Sequence, residues 1–227
     1  MKLAIPVLFS ILLSCKGSKK KHHTNIDHGP EIEITEKPIP YTPERAQLSI
    51  QYLKDRHNVI QTNPSINPIM IVLHYTDGGT TNSIYKYFSS DTVESVRELN
   101  KKASPLNVSS HYLIDREGKV YHLVPDTLFA RHIIGLNYCS IGIENIGSKR
   151  KPLTEAQVIS NAKLIRYLTK KYKIEFLIGH SEYENFRNSK WWKETDPGYF
   201  TVKEDPGKDF LERVRYLLQD INLKNNP

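Results

Sequence analysis

Two short apolar runs that each end in a histidine constrain the fold of this chain more than any other feature. The two runs are Ile69–His74 and Phe176–His180. A continuous apolar run of about four to eight residues, bounded by turn-forming residues, is typical of a fully buried strand. Both histidines therefore stand at the ends of predicted strands, where a rigid scaffold can direct their side chains to one point.

Further strands and helices are predicted around these two runs. Thr154–Lys173 has the apolar spacing of a helix, and Thr154 and Gln157 form a capping box at its start. The other predicted elements are a hairpin of His111–Ile114 and Val120–Val124 around Gly118, a strand at Ser140–Ile146, a helix that starts at Pro43, and a terminal helix that carries Phe210, Val214, Leu217, Leu218 and Ile221. Because no regular βαβ repeat connects them, the predicted fold class is α/β, a single mixed domain.

Length and charge limit the functions that this chain can have. A chain of 227 residues can build one good core and is small for two. The net charge of +7 favours an acidic partner such as nucleic acid, anionic lipid or an anionic cell-wall polymer. No motif interleaves basic and aromatic residues, so nucleic acid is not a predicted partner.

The first fifteen residues have the pattern of an export signal. Lys2 precedes the apolar stretch Leu3–Leu13, which is too short to span a bilayer as a stable helix. The stretch ends in Leu-Leu-Ser-Cys, which resembles a bacterial lipoprotein processing box in which Cys15 would carry the lipid. The alternative is an ordinary signal peptide with an incidental cysteine. The first interpretation predicts a protein anchored by lipid in the bacterial cell envelope, facing the periplasm or the exterior, and on the outer membrane in a Gram-negative cell.

The predicted domain organisation follows from composition. Residues 1–15 are the predicted lipoprotein-type signal peptide, and residues 16–41, rich in lysine and punctuated by proline, are predicted to be a flexible tether. Residues 42–222 are the predicted folded domain, because Thr42 followed by Pro43 is a good helix start.

Three side chains have the chemistry of a hydrolytic metal site. His74, His180 and Asp205 offer two imidazoles and one carboxylate, and such a set suits a zinc ion that keeps one position for water. Taken singly, a histidine at a strand end can equally be a hydrogen-bonded structural group. A rival for the carboxylate is Asp196, which also precedes a Pro-Gly pair.

Five motifs in a fixed order indicate a known family. The motifs are His74-Tyr75-Thr76, Ser110-His111-Tyr112-Leu113-Ile114-Asp115 with Gly118, Ser140-Ile141-Gly142-Ile143-Glu144, Gly179-His180, and Lys203-Glu204-Asp205-Pro206-Gly207 with Phe210. Over about residues 65–218 the chain resembles the zinc-dependent N-acetylmuramoyl-L-alanine amidases of the type 2 amidase family, which share their fold with peptidoglycan recognition proteins and phage T7 lysozyme. The resemblance implies a central mixed β-sheet flanked by helices.

The resemblance also implies roles for individual residues. His74, His180 and Asp205 would hold one Zn²⁺, Glu144 would act as general base, and Lys203 would stabilise the oxyanion. The chain departs from the family pattern at Ser110, where some relatives carry a catalytic tyrosine, and in the long stretch between His180 and Asp205.

Substrate contacts are predicted on the same basis. Arg131, His132 and Asn137 precede the Glu144 strand, in a region that often lines the substrate cleft of relatives, and Arg131 would pair with a peptide carboxylate. Trp191 and its neighbour Trp192 either stack on sugar rings or belong to the core.

The resulting expectation is an amidase that hydrolyses the bond between N-acetylmuramic acid and L-alanine in peptidoglycan or muropeptides. No obligate protein partner is predicted. The alternatives are a peptidoglycan-binding module of the same fold that does not cleave, a zinc peptidase that acts on stem peptides, and a metal site that is purely structural.

Overall fold

A six-stranded mixed sheet forms the centre of the protein, in the order β1-β4-β3-β5-β2-β6. The structure is a computed structural model that describes residues 32–94 and 102–227, which belong to the compact unit Glu31–Pro227. The strands are β1 (Ile34–Glu36), β2 (Met70–Tyr75), β3 (Tyr112–Ile114), β4 (Val120–His122), β5 (Ser140–Asn145) and β6 (Phe176–Gly179). Among these strands, β3 and β4 pair antiparallel as the predicted hairpin, and the other pairings are parallel.

The helices begin where the sequence signals place them. They are α1 (Pro43–His57), α2 (Thr81–Ser89), α3 (Glu155–Lys171) and α4 (Lys208–Leu217), with short 3-10 helices at Asn137–Cys139 and His180–Phe186. Thr42 caps α1 with Pro43 as its first residue, and Thr154 and Gln157 form the predicted capping box of α3. The predicted mixed α/β fold with a central sheet is confirmed.

The two faces of the sheet bury different sets of side chains. Ile71 and Leu73 of β2 belong to the cluster that includes residues of α3 and α4, such as Leu164 and Val214. Met70 and Val72, which alternate with them, belong to a cluster on the opposite face. Since side chains alternate along a strand, His74 projects on the same face as Met70 and Val72. The site is therefore built on the face of the sheet that lies opposite α3 and α4.

The fold extends past both predicted boundaries of the folded domain. β1 (Ile34–Glu36) pairs in parallel with β4, and Ile39 is buried, so the fold includes the end of the segment predicted as a tether to residue 41. At the other end, Lys224 exchanges backbone hydrogen bonds with the start of β6, beyond the predicted limit of residue 222. The sequence did carry a signal for β1, because Ile32 and Ile34 alternate with polar residues at the period of a strand.

The predicted signal peptide, Cys15 and most of the predicted tether lie outside the described residues. Within the described ranges, no helix combines the length and the apolar character that crossing a membrane requires.

A buried carboxylate fastens α3 to the hairpin. Asp126 is 3% exposed and accepts hydrogen bonds from Tyr112 at 2.6 Å, Lys171 at 2.8 Å and Tyr172 at 3.0 Å. Burial by itself would raise the pKa of Asp126, but its contacts with His122, Lys171 and the two tyrosine hydroxyls hold the pKa below the usual range of a carboxyl group. The ionised carboxylate therefore stabilises the fold.

We expect Asp126→Asn to lower the free energy of unfolding by about 3 kcal/mol, because it removes the charge from a buried and paired group. The melting temperature should fall by roughly 6–12 °C. The folded-state pKa of Asp126 is depressed, so its contribution is present above about pH 4 and is lost as the pH falls through the folded-state pKa. Thermal unfolding of wild type and variant between about pH 2 and pH 8 measures both effects. Glu117→Gln, at an exposed carboxylate in the hairpin turn, is the control and should change stability by less than about 0.5 kcal/mol; equal shifts in the two variants would contradict the prediction.

Candidate metal centre

Two neighbouring parallel strands bring the predicted histidines together. β2 and β6 pair in register, with Leu73 opposite Gly179, and His74 and His180 are the residues that follow this pair. Because the strands run in the same direction, both histidines emerge at one edge of the sheet. Their Nδ1 atoms lie 3.0 Å apart.

Asp205 completes a triangle with the two imidazoles. Its Oδ2 lies 3.2 Å from Nδ1 of His74 and 3.1 Å from Nδ1 of His180. The backbone N–H of Ser181 donates to the carbonyl of Asp205 at 2.9 Å, which ties the two ligand-bearing segments together. A Cβ on Gly179 would lie 2.8 Å from Cδ of Pro206, so the glycine before His180 allows this close approach. The structure therefore brings His74, His180 and Asp205 to one point.

The dimensions of this triangle fit a small divalent cation. Its edges measure 3.0, 3.1 and 3.2 Å. A tetrahedral metal with bonds of about 2.0 Å requires its ligands to lie about 3.3 Å apart, close to these values. His74, His180 and Asp205 form the cluster of metal-competent side chains that the described part of the chain contains, and all three are buried. The donor set thus matches a metal that keeps a vertex for a further ligand.

Burial sets the protonation states that a metal requires. Desolvation, followed by repulsion from His74, lowers the pKa of His180 to about 4, so this imidazole is neutral at neutral pH. Burial alone would raise the pKa of Asp205, but its contacts with the imidazoles of His180 and His74 hold it well below the usual range. A neutral imidazole and an ionised carboxylate are the forms that ligate metals.

A chain of hydrogen bonds fixes which nitrogen of His74 faces the site. Nε2 of His132 lies 3.3 Å from the carbonyl oxygen of Ser140, which can only accept, so this nitrogen carries the proton. Burial and the neighbouring His74 lower the pKa of His132 well below its ordinary value, so its ring is neutral and Nδ1 accepts. Nε2 of His74, 3.1 Å from that Nδ1, is then the donor, and Nδ1 of His74 keeps its lone pair for the metal.

Two further residues hold His132 in place. Asn137 is fully buried, and its Oδ1 accepts the backbone N–H groups of His132 and Ile133, each at 2.8 Å. Gly142 lies against the ring, because a Cβ there would meet the His132 imidazole at 2.7 Å. His132 and Asn137 were predicted to bind substrate; the structure places both along the groove, and the contacts it shows give them the role of orienting His74.

Glu144 lies beside the metal ligands by strand register. It pairs with His74 across β5 and β2, so the two side chains project on the same face of the sheet. Glu144 and Lys203 both line a groove of about 820 Å³ that also contains His74, His180 and Asp205. The predicted base and the predicted cation thus share the groove with the metal ligands.

The contacts of Arg131 differ from the predicted pairing with a peptide carboxylate. It is 3% exposed, and its guanidinium donates to the carbonyls of Ser104 and Leu106 and to the hydroxyl of Tyr199. The guanidinium also lies 5.1 Å from the centre of the Tyr52 ring. These contacts assign Arg131 to bracing the groove wall, so the predicted pairing with a substrate carboxylate has no support in the structure.

The aromatic stretch after His180 packs mainly into the core. Trp191 and Trp192 pack against the buried cluster of the second sheet face, and Trp191 meets the Phe176 ring edge-on at 5.8 Å. Trp191 is not among the residues that line the groove, so its predicted stacking on substrate has no support. Asp196 is exposed, accepts the N–H of Gly198 at 2.9 Å and lies away from the triangle, so Asp205 is the carboxylate that the structure places beside the two histidines.

Sequence reasoning missed several residues of the groove. Tyr75, Lys149, Tyr199, Val202 and Glu204 line it. Tyr75 directly follows His74, a predicted ligand, so its position in the sequence could have identified it. Lys149 belongs to a loop whose position depends on tertiary contacts, so spacing could not identify it. Ser110, at the family position of a catalytic tyrosine, is buried and donates to the carbonyl of Gly142 at 2.8 Å.

Comparison with known protein families identifies the family of this chain. The family model described as N-acetylmuramoyl-L-alanine amidase matches residues 61–208. A search of curated proteins gave no match.

Solved structures share the fold at low sequence identity. The N-acetylmuramoyl-L-alanine amidase LysC from Clostridium intestinale is 22% identical with a TM-score of 0.51, covering 85% of this chain and 99% of its own. AmpD, in a selenomethionine derivative, is 24% identical with a TM-score of 0.51, covering 84% and 97%. The bumblebee peptidoglycan recognition protein PGRP-SA is 15% identical with a TM-score of 0.51, covering 86% and 99%.

We expect Asp205→Ala to abolish stoichiometric binding of a divalent metal, because it removes one of three ligands. Asp196→Ala is the matched control, since both aspartates precede Pro-Gly but Asp196 is exposed on the surface. Metal content after incubation with Zn²⁺ and gel filtration, measured by mass spectrometry, distinguishes the variants. Loss of metal from the Asp196 variant with retention in the Asp205 variant would show that the ligand assignment is wrong.

We expect His132→Ala to weaken Zn²⁺ binding by about 10- to 100-fold, the usual effect of removing the partner of a metal-bound histidine. His132→Asn keeps an oxygen acceptor near the position of Nδ1 and should retain most of the affinity. Competition with a chromogenic chelator gives the affinities, and ¹⁵N NMR of the His74 ring reports its tautomer. Equal affinities of the alanine and asparagine variants would rule out the orienting role.

Proposed function

Because the chain belongs to the N-acetylmuramoyl-L-alanine amidase family, we propose that it is a zinc-dependent hydrolase that cleaves the amide bond between N-acetylmuramic acid and L-alanine. The substrate is peptidoglycan or its fragments. The observation that carries the proposal is the complete triangle of His74, His180 and Asp205, with Glu144 in register beside it. A fold used only for recognition has no need of a buried triangle whose spacing and protonation suit a metal.

The residues of the groove have separate roles in the proposed reaction. Zinc, when bound, supplies a Lewis acid that makes water more acidic and polarises the carbonyl. Glu144 is the general base, which takes a proton from the attacking water and returns it to the leaving amine of L-alanine. Lys203 carries the positive charge that stabilises negative charge developing on the carbonyl oxygen. His132 holds His74 in the tautomer that ligation requires.

Two other functions use the same groove. A binding module of this fold would recognise peptidoglycan without cleaving it, as the likeness to a peptidoglycan recognition protein illustrates. A zinc peptidase would cleave within the stem peptide. The complete ligand set favours hydrolysis over binding alone, and the family favours the bond to L-alanine over bonds within the peptide.

The proposal includes a location. Cys15 would be lipidated after signal cleavage and would hold the enzyme in the bacterial cell envelope, with the basic segment after it facing anionic wall or lipid. Incorporation of labelled fatty acid into wild type but not into Cys15→Ala tests this part.

We expect the zinc-loaded protein to release intact stem peptide with a free L-alanine amine from purified muropeptides. Glu144→Gln should lower kcat by about 10²- to 10⁴-fold, the usual contribution of a general base, while metal content stays constant. Glu117→Gln, at an exposed carboxylate in the hairpin turn, is the matched control and should retain activity. Mass spectrometry of the products and metal analysis of each variant make the measurement.

The products also separate the alternatives. Fragments cut within the peptide would identify a peptidase. Binding of muropeptide without any product would identify a recognition module. Unfolding on chelation, with no turnover by the loaded protein, would identify a structural metal.

A further inference from the structure

A second cavity adjoins the groove on the outer side of the metal-ligand segment. It measures about 280 Å³ and shares Tyr75, Lys149 and Glu204 with the groove. Asp205 lines the groove, whereas the next residue, Pro206, lines the second cavity. The segment that supplies the third metal ligand is therefore the wall between the two spaces.

An ion pair on the surface spans the boundary of these spaces. Nζ of Lys149 lies 2.9 Å from Oε2 of Glu204, and their side chains are 76% and 63% exposed. The pair joins the loop after β5 to the segment that carries Asp205. Exposed ion pairs add little stability and exchange partners readily, so a carboxylate from a ligand can replace that of Glu204.

The lining of the second cavity suits the end of a peptide. Leu153 and Phe210, the latter buried, provide an apolar base. Lys149 provides an exposed cation. The guanidinium of Arg213 is engaged by Glu155 and Asp209. Lys208 pairs with Glu212 and lines the second cavity but not the groove. Lys149 lines both spaces and pairs with the exposed carboxylate of Glu204 at their boundary.

We propose that the second cavity is a subsite for the far end of the substrate peptide, whose terminal carboxylate displaces Glu204 from Lys149. The inference rests on the proposed function, because it takes the substrate to carry a peptide. It extends that function by assigning a preference for stem peptides that are long enough to reach Lys149 and that end in a free carboxylate. Cross-linked or amidated ends would lose this contact.

The test measures binding of free stem peptides, which lack the bond to be cleaved. Peptides of two to five residues that begin with L-alanine are titrated into the zinc-loaded protein by calorimetry, each with a carboxylate or an amide at its C-terminus. Above a threshold length we expect the carboxylate form to bind about tenfold more tightly, the effect of one charge-assisted hydrogen bond. Below that length the two forms should bind equally.

Three variants locate the effect. Lys149→Met should abolish the carboxylate preference of the long peptides. Lys151→Met is the matched control on the same loop, and it should keep the preference because Lys151 lines neither cavity. Glu204→Gln removes the competing carboxylate and should tighten binding of the carboxylate form several-fold.

Two results would overturn the inference. One is the absence of a carboxylate preference at every length in the wild type, and the other is an equal effect of Lys149→Met and Lys151→Met. Hydrolysis of muramyl peptides is measured in parallel. Carboxylate-dependent binding without any hydrolysis would support the subsite and overturn the amidase proposal, so failures of the two proposals are distinguishable.

Discussion

Parallel pairing of β2 with both β5 and β6 is the constraint on which the rest of the protein depends. β2 is fully buried up to His74, and its register sets Glu144 on one side and Gly179 on the other side of its end. A slip of one residue in either pairing would turn side chains to the opposite face of the sheet. The apolar sequence of the three strands, buried between the clusters on the two faces, makes such a slip costly. The packing of the core thus fixes the positions of the site residues.

Burial sets the protonation states of the site residues, and it also requires that each buried polar group has a hydrogen-bonding or charged partner. Two imidazoles and a carboxylate packed within 3.2 Å of one another would be unfavourable if each were charged and alone. The neutral state of His180 and the ionised state of Asp205 reduce this conflict, and a divalent cation would complete the balance of charge. The glycines at positions 142 and 179 serve the same end, because they let His132 and Pro206 approach closely enough to support the ligands.

The groove combines a rigid inner part with an adjustable rim. Arg131, Tyr52 and Tyr199 hold one wall through buried contacts. Near Asp205, by contrast, the rim is closed by the exposed pair of Lys149 and Glu204. In a hydrolase, this division separates the groups that must be held still for chemistry from those that can adapt to the length and charge of a substrate.

The sequence by itself determined the elements whose signals are local. The apolar runs predicted β2 and β6, and the capping box predicted the start of α3. The ordered motifs predicted the candidate metal ligands, with Asp196 left as a rival to Asp205. Strand identity and ligand chemistry are properties of short segments. It did not determine the roles of residues that depend on distant neighbours. Arg131 and Trp191 are residue types that often contact substrates. In this fold, however, Arg131 donates hydrogen bonds to the carbonyls of Ser104 and Leu106, and Trp191 packs against Phe176 in the core. Tertiary structure alone decided that Asp205 rather than Asp196 joins the histidines, that β1 extends the sheet, and that His132 orients His74, since each depends on which surfaces meet when the chain folds.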